Sequence, residues 1–105
     1  MPARIGKDEF ETEVLKSPIP VLADFYSDSC IPCKRMAPIL SQLETEYENK
    51  LKVVKINTNF EKELVEKYGI MAAPTFVFFK NGEETARIRG AVKKDELISH
   101  IDSLI

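Results

Sequence analysis

Two cysteines separated by two residues, Cys30 and Cys33, are the side chains of this 105-residue chain whose types and spacing point most directly to chemistry. Thiols at this spacing can close a small disulfide ring and open it again, exchanging two electrons with another disulfide. The same spacing also occurs in structural disulfides and in half of a zinc site. The pair alone therefore leaves four interpretations open: redox exchange, a structural disulfide, zinc binding, or two unreactive thiols.

The rest of the chain disfavours the zinc and structural interpretations. A closed zinc site needs four ligands, but His100 is the only histidine and there is no second cysteine pair. A structural disulfide that closes so short a loop restricts the unfolded chain very little. His100 lies beside the apolar stripe of the last predicted helix, which indicates a surface or boundary residue rather than a general base. Redox exchange is the interpretation that the sequence favours.

The cysteines lie between a predicted strand and a predicted helix. Residues 21–26 form a nearly continuous apolar run interrupted by Asp24, which is typical of a strand covered on both faces. An apolar stripe at helical spacing predicts a helix from Cys33 to about Asn49, with a kink at Pro38. The stripe consists of Met36, Ile39, Leu40, Leu43 and Tyr47.

This placement predicts different roles for the two thiols. A helix N-terminus presents free backbone N–H groups and the positive end of the helix dipole, which stabilise a thiolate. We therefore expect Cys30, at the N-terminus, to be the nucleophile. Cys33, about one turn inside, should be shielded from large substrates and should resolve the mixed disulfide formed at Cys30.

Apolar spacing and turn residues predict three further strands and three further helices. The strands are Lys52–Asn57, Thr75–Phe79 and Thr85–Arg89, with a hairpin turn at Asn81-Gly82 between the last two. The helices are Asp8–Leu15, a short helix carrying Phe60, Leu64, Val65 and Tyr68, and a final helix carrying Leu97, Ile98, Ile101, Leu104 and Ile105.

Composition predicts one globular domain covering residues 1–105. Hydrophobic residues make up 44% of the chain and charged residues 30%, and the net charge of -2 leaves no positive excess for nucleic acid or anionic lipid. Phe76, Phe78 and Phe79 are therefore expected in the core rather than as a stacking platform for bases. The first ten residues contain no apolar signal segment, and the few cysteines suit a reducing compartment, so we expect a cytoplasmic location without membrane partners.

Seven motifs in order along the chain resemble the thioredoxin family over nearly its whole length. They are Asp24-Phe25-Tyr26, Cys33-Lys34-Arg35-Met36-Ala37-Pro38, Lys55-Ile56-Asn57, Tyr68-Gly69-Ile70, Ala73-Pro74-Thr75, Phe79-Lys80-Asn81-Gly82 and Gly90-Ala91. The resemblance implies an α/β fold, the thioredoxin fold, in which four helices flank a central five-stranded mixed β-sheet. It also implies that the cysteine loop lies at the end of the second strand.

The resemblance further implies roles for residues outside the cysteine loop. Pro74 would be a cis proline facing the cysteines, and Ala73 would offer backbone hydrogen bonds to an extended substrate segment. Gly90 would lie on the substrate-binding rim. Asp24 would be a buried carboxyl with a raised pKa that accepts the Cys33 proton, with Lys55 as its companion charge.

The chain departs from the family pattern around the first cysteine. Ser29 stands where the family usually has Trp, Tyr26 where a second Trp is common, and Ile31 where Gly is usual, whereas Pro32 is retained. Ser29, Ile31 and Pro32 are therefore the expected substrate contacts of the loop. Because an indole is lost and a bulky side chain is added, we expect a different set of partners.

By resemblance, the expected function is reduction of protein disulfides by dithiol/disulfide exchange. A monomer without a bound cofactor would be recycled by a flavoprotein, thioredoxin reductase. Two alternatives remain: an oxidase or isomerase of higher reduction potential, and a thioredoxin-fold binding module whose thiols are incidental.

Overall fold

The computed structural model describes all 105 residues, and its centre is a five-stranded mixed sheet with the order β1-β3-β2-β4-β5. The strands are β1 (Ala3–Arg4), β2 (Val21–Tyr26), β3 (Lys52–Asn57), β4 (Thr75–Lys80) and β5 (Glu83–Arg89). β1, β3 and β2 are parallel to one another, whereas β4 runs antiparallel to β2. β5 forms a hairpin with β4 and therefore has the same direction as β2. The mixed five-stranded sheet is confirmed.

Four helices cover the sheet, as expected. They are α1 (Lys7–Phe10, continued by a π-helical turn Glu11–Leu15), α2 (Ile31–Glu46), α3 (Lys62–Lys67) and α4 (Lys94–Asp102). α2 begins two residues earlier than the apolar stripe predicts, because Cys30 caps the helix and Pro32 fits its first turn, where a missing N–H costs nothing. β1 has only two residues, too few for a periodic signal.

Each face of the sheet carries a separate apolar cluster of twelve buried residues. One cluster packs α1 and α3 against the odd-numbered side chains of β2. The other packs α2 and α4 against Leu22, Phe76 and Phe78. Because β2 and β4 are covered on both faces, they have the nearly continuous apolar sequences expected of central strands. The prediction that Phe76, Phe78 and Phe79 are core residues is confirmed.

Two apolar residues lie outside the helical patterns to which the sequence assigned them. Phe60 is 74% exposed, because it falls in the turn after β3, before α3 begins at Lys62. Ile105 is 51% exposed, because α4 ends at Asp102. Both residues were expected on a helix, but each lies outside it, because the helix covers a shorter stretch than the apolar spacing: Phe60 precedes α3 and Ile105 follows α4.

The connections place several loops at one end of the sheet. The ends of β2, β3 and β5 meet the beginning of β4 there, so that residues 27–30, 58–61, 70–74 and 90–93 are neighbours. We call this the loop end of the sheet. It contains the part of the cysteine loop that ends at Cys30, as well as the segment before Thr75. Every helix of the protein is too short or too polar to cross a membrane.

Candidate active site

Cys30 and Cys33 form a disulfide across the first turn of α2, with their Cα atoms 5.2 Å apart. Cys30 is the N-cap residue: its backbone is extended, and its Sγ accepts a hydrogen bond from the Cys33 N–H at 3.1 Å. A sulfur therefore takes the place that a Ser or Asp oxygen occupies in an ordinary helix cap. The same N–H and the helix dipole would stabilise a Cys30 thiolate when the disulfide is open.

The two sulfurs differ in their access to solvent. Cys33 is only 5% exposed, whereas Cys30 is half-buried. Access for a large substrate is therefore through Cys30. Ser29, Ile31 and Pro32, the expected substrate contacts, are all exposed around it.

Asp24 lies in the interior of the protein and is 1% exposed. Its Oδ1 has no hydrogen-bond partner, although most buried polar atoms have one. Burial raises the pKa of Asp24 to about 7, and the positive charge of Lys55 acts in the opposite direction. The carboxyl can therefore gain and lose a proton near neutral pH.

The fold places Asp24 on the sheet face that α2 covers. Leu22, two residues earlier on β2, packs on that face with Met36 of α2. Asp24 is the next residue of β2 on this face after Leu22, and Cys33 lies one turn before Met36 on α2. The buried carboxyl and the buried sulfur therefore lie at the same level of this layer.

Lys55 is the register partner of Asp24 on the neighbouring strand but does not form an ion pair with it. Its Nζ lies 4.5 Å from the centre of the Tyr26 ring, a cation–π contact. The Arg4 guanidinium lies 5.9 Å from the centre of the same ring. The structure therefore places Lys55 beside Asp24 on the neighbouring strand, with its ammonium group against the Tyr26 ring.

The peptide bond between Ala73 and Pro74 is cis. The Pro74 carbonyl accepts a hydrogen bond from the Gly90 N–H at 2.8 Å, and Gly90 has φ +88°, a conformation that favours glycine. The backbone N–H and C=O of Ala73 make no hydrogen bond within the chain. Ala73 thus presents a free donor and a free acceptor at the loop end, next to a fixed turn.

Sequence reasoning missed two features of the loop end. Phe60 and Met71 are exposed apolar side chains there, Met71 by 87%. The Asn57 side chain donates hydrogen bonds to both carboxylate oxygens of Asp28 at 3.1 Å, joining the cysteine loop to the end of β3. The position of Met71 just before the proline loop was the only sequence signal for the first feature, and no local pattern predicts the Asn57 contact.

His100 has a structural position. It is half-buried, its ring stacks on Phe78 with centroids 5.2 Å apart, and its Nδ1 lies 3.0 Å from the Glu96 carbonyl oxygen of the preceding turn. No three His, Cys, Asp or Glu side chains are arranged to hold a metal ion.

Comparison with known proteins gives full-length matches. The Thioredoxin family model matches residues 2–103. A thioredoxin of Rickettsia bellii is 40% identical over 105 residues and the whole of both chains. Thioredoxin 1 of a Nostoc species is 40% identical over 90% of this chain and 89% of its own. The chloroplastic M-type thioredoxin of Chlamydomonas reinhardtii is 37% identical over 96% of this chain and 72% of its own.

These matches agree with the sheet order, the four helices and the cysteine pair at the cap of α2. The alignments with the Rickettsia and Nostoc thioredoxins extend over all or most of both chains, so the likeness is not confined to one motif. The protein is a thiol–disulfide oxidoreductase, and the chain belongs to the thioredoxin family.

Proposed function

We propose that the protein reduces disulfides in other proteins, with Cys30 as the attacking thiolate and Cys33 as the resolving thiol. The observation that carries this proposal is the difference in access: Cys30 caps α2 and is half-buried, whereas Cys33 is 5% exposed. A protein substrate can reach the first sulfur and not the second.

The reaction consumes the reduced protein and ends with the disulfide seen here. The Cys30 thiolate attacks one sulfur of the substrate disulfide, the substrate S–S bond breaks, and its other sulfur leaves with the bonding electrons and takes up a proton. The Cys33 thiolate then attacks Cys30 Sγ, which breaks the mixed disulfide and releases the second substrate thiol. Two electrons pass from the protein to the substrate, and Cys30 and Cys33 become oxidised.

Asp24 would take the proton from the Cys33 thiol before the second attack, directly or through a water molecule. A general base works best when its pKa lies near the working pH, and burial raises the pKa of Asp24 to about 7. Lys55 would stabilise the charged form from the neighbouring strand.

The substrate would bind as an extended segment against the loop end. The free N–H and C=O of Ala73 would pair with it as an added strand beside Pro74. Gly90 would line the rim, and Ser29, Ile31 and Pro32 would contact the residues around the substrate cysteine.

The family resemblance supports the remaining parts of the proposal. A thioredoxin reductase, a flavoprotein, would restore the dithiol, and this chain would act as a single-domain monomer in the cytoplasm with no bound cofactor. The net charge of -2 supports protein substrates rather than nucleic acid or anionic membranes.

Reduction of insulin disulfides by dithiothreitol tests the chemistry. The wild type should accelerate the reaction, Cys30→Ser should abolish the acceleration, and Cys33→Ser should stop at a mixed disulfide detected by mass spectrometry. A control variant, Cys30→Ser with Ser99→Cys, carries an exposed thiol on α4 instead. Full activity of Cys30→Ser, or rescue by the displaced thiol, would contradict the proposal and favour a binding module.

The reduction potential separates a reductase from an oxidase or isomerase. Thioredoxins are already known to lie at about -270 mV and protein disulfide isomerase at about -180 mV. We expect a value near the lower figure, measured by thiol trapping in graded redox buffers because the chain has no Trp to report the change. A value near the higher figure would favour oxidation or isomerisation.

A further inference from the structure

Three charged side chains form a row across the sheet on the face that α2 covers. Asp24 of β2 is the register partner of Lys55 on β3, and Lys55 is the register partner of Arg4 on β1. Paired residues of neighbouring strands point to the same face. Tyr26, two residues after Asp24 on β2, lies on this face as well. The aromatic ring and the carboxyl are therefore adjacent positions, both next to Lys55.

Two groups that attract a positive charge lie next to Lys55. One is the Tyr26 ring face and the other is the carboxyl of Asp24, its direct partner across the strands. The structure shows the ammonium 4.5 Å from the ring centre, and no ion pair joins it to Asp24. The Asp24 Oδ1 also lacks any other hydrogen-bond donor. The ring thus holds a charge that the buried carboxyl would otherwise attract.

We propose that Tyr26 is a positioning residue whose ring holds the Lys55 ammonium away from Asp24 and so leaves this carboxyl free to exchange a proton with Cys33. The inference rests on the role proposed above for Asp24. It concerns a position where this chain has Tyr rather than the Trp common in its family.

The groups around Asp24 on the other elements leave Lys55 as the charge that matters. On β4 the register partner is the uncharged Phe76, and on α2 the two sulfurs are joined in a disulfide and carry no charge. The α2 residues Lys34 and Arg35 are exposed, and on β1 Arg4 lies one strand further away. α4 directs Lys94 to Glu46 at the far end of α2.

The expected consequence follows from the balance between desolvation and attraction. Burial favours the neutral carboxyl, and Lys55 at its present position opposes this only in part. Removing the ring would let the ammonium approach Asp24 and stabilise the carboxylate. The pKa of Asp24 should then fall, by roughly one unit for a contact of ordinary cation–π strength.

The test is an NMR pH titration of the Asp24 side-chain carbon in the oxidised protein, comparing wild type with Tyr26→Leu. The cysteines do not titrate in this state, and no turnover is required, so the result is independent of whether the protein proves to be a reductase. Tyr26→Phe and Tyr26→Trp retain a ring and should keep the wild-type titration midpoint. Tyr26→Met serves as a second ring-free variant if Tyr26→Leu does not fold.

The Lys55→Met background supplies the control. Removing the ring could also admit water to Asp24, which would lower its pKa without involving Lys55. If the proposal holds, the fall of about one unit occurs with Lys55 present and vanishes in Lys55→Met. An equal fall in both backgrounds, no fall with Lys55 present, or an equal fall in Tyr26→Phe would overturn the proposal.

Discussion

The two faces of the sheet bury similar numbers of apolar residues but treat their polar groups differently. On the α1/α3 face, the buried Thr75 hydroxyl donates to the Ala72 carbonyl oxygen at 2.6 Å. On the α2/α4 face, Asp24 is buried as deeply with an unpartnered oxygen. An unsatisfied buried group destabilises a fold. The first face is therefore optimised for packing, whereas the second retains an unfavourable group at the level of the cysteines, where we propose that a proton is exchanged.

The largest effect is expected from damage to the packing face. Phe10 is 3% exposed and its ring lies 5.4 Å from Tyr68 and 5.8 Å from Phe79, measured between centroids. Phe10→Ala should lower the free energy of unfolding by about 3–5 kcal/mol, measured by urea denaturation. The dependence of stability on pH should survive this change, because Asp24 lies on the other face. Loss of that dependence would show that the two faces are coupled.

Replacing Asp24 should raise the free energy of unfolding, in contrast to Phe10→Ala. Its pKa is about 7 in the folded protein and about 4 when unfolded, so wild-type stability should be greatest below pH 4 with respect to this group and should fall as pH rises to 7. Asp24→Leu should remove this fall and raise the free energy of unfolding at pH 8 by about 2–4 kcal/mol. Urea denaturation of both proteins at pH 4, 6 and 8 gives their free energies of unfolding and tests both predictions. If Asp24→Leu were less stable than wild type at pH 8, the conclusion that Asp24 destabilises the α2/α4 face would be wrong.

The exposed apolar side chains allow a second comparison, between the loop end of the sheet and the surface beyond the end of α4. Ile31 and Met71 are exposed at the loop end, whereas Ile105 is exposed after α4, which runs away from that end. Ile31→Ser and Met71→Ser should each lower kcat/KM for insulin reduction about fivefold, on the order of 1 kcal/mol, through lost contact with the substrate.

The reduction of a small aromatic disulfide should be unchanged in both variants, since it needs only Cys30. Ile105→Ser is the matched control and should not alter insulin reduction. Equal losses for all three variants would indicate a general effect of surface apolarity rather than docking at the loop end.

The smallest effect concerns the contact between Asp28 and Asn57, which fastens the cysteine loop to β3. Asp28→Ala should lower the free energy of unfolding by less than about 1 kcal/mol, because Asp28 is exposed and Asn57 is only half-buried. It should speed amide hydrogen exchange in residues 27–30 more than elsewhere. Glu48→Ala, at an exposed position outside the loop end, should leave that exchange unchanged.

Local sequence patterns predicted most of the fold. β2 to β5 and the helices were predicted because apolar spacing and turn residues are local signals. Asn81 and Gly82 adopt the positive φ values, 54° and 81°, that such a hairpin turn requires. β1 was not predicted from its pattern, because two residues form a strand only by pairing with Val54 and Lys55. The start of α2 was displaced because a sulfur cap leaves no apolar signal.

The site was predictable in unequal parts. The spacing of Cys30 and Cys33 indicated their chemistry, whereas the cis bond before Pro74 and the burial of Asp24 came only from family resemblance. The contact between Lys55 and Tyr26 depends on which residues of two distant segments become neighbours in the sheet. No feature of either segment alone carries that information.

The cap of α2 also bears on how proteins of this kind can diverge. Ile31 lies between the two cysteines in the sequence and 63% of its surface is exposed, so changing it removes little packing from the interior. The backbone of the first helical turn, rather than this side chain, fixes the distance between the cysteines. Substitution of this one residue would therefore change the surface beside Cys30 while leaving the backbone that holds the disulfide in place.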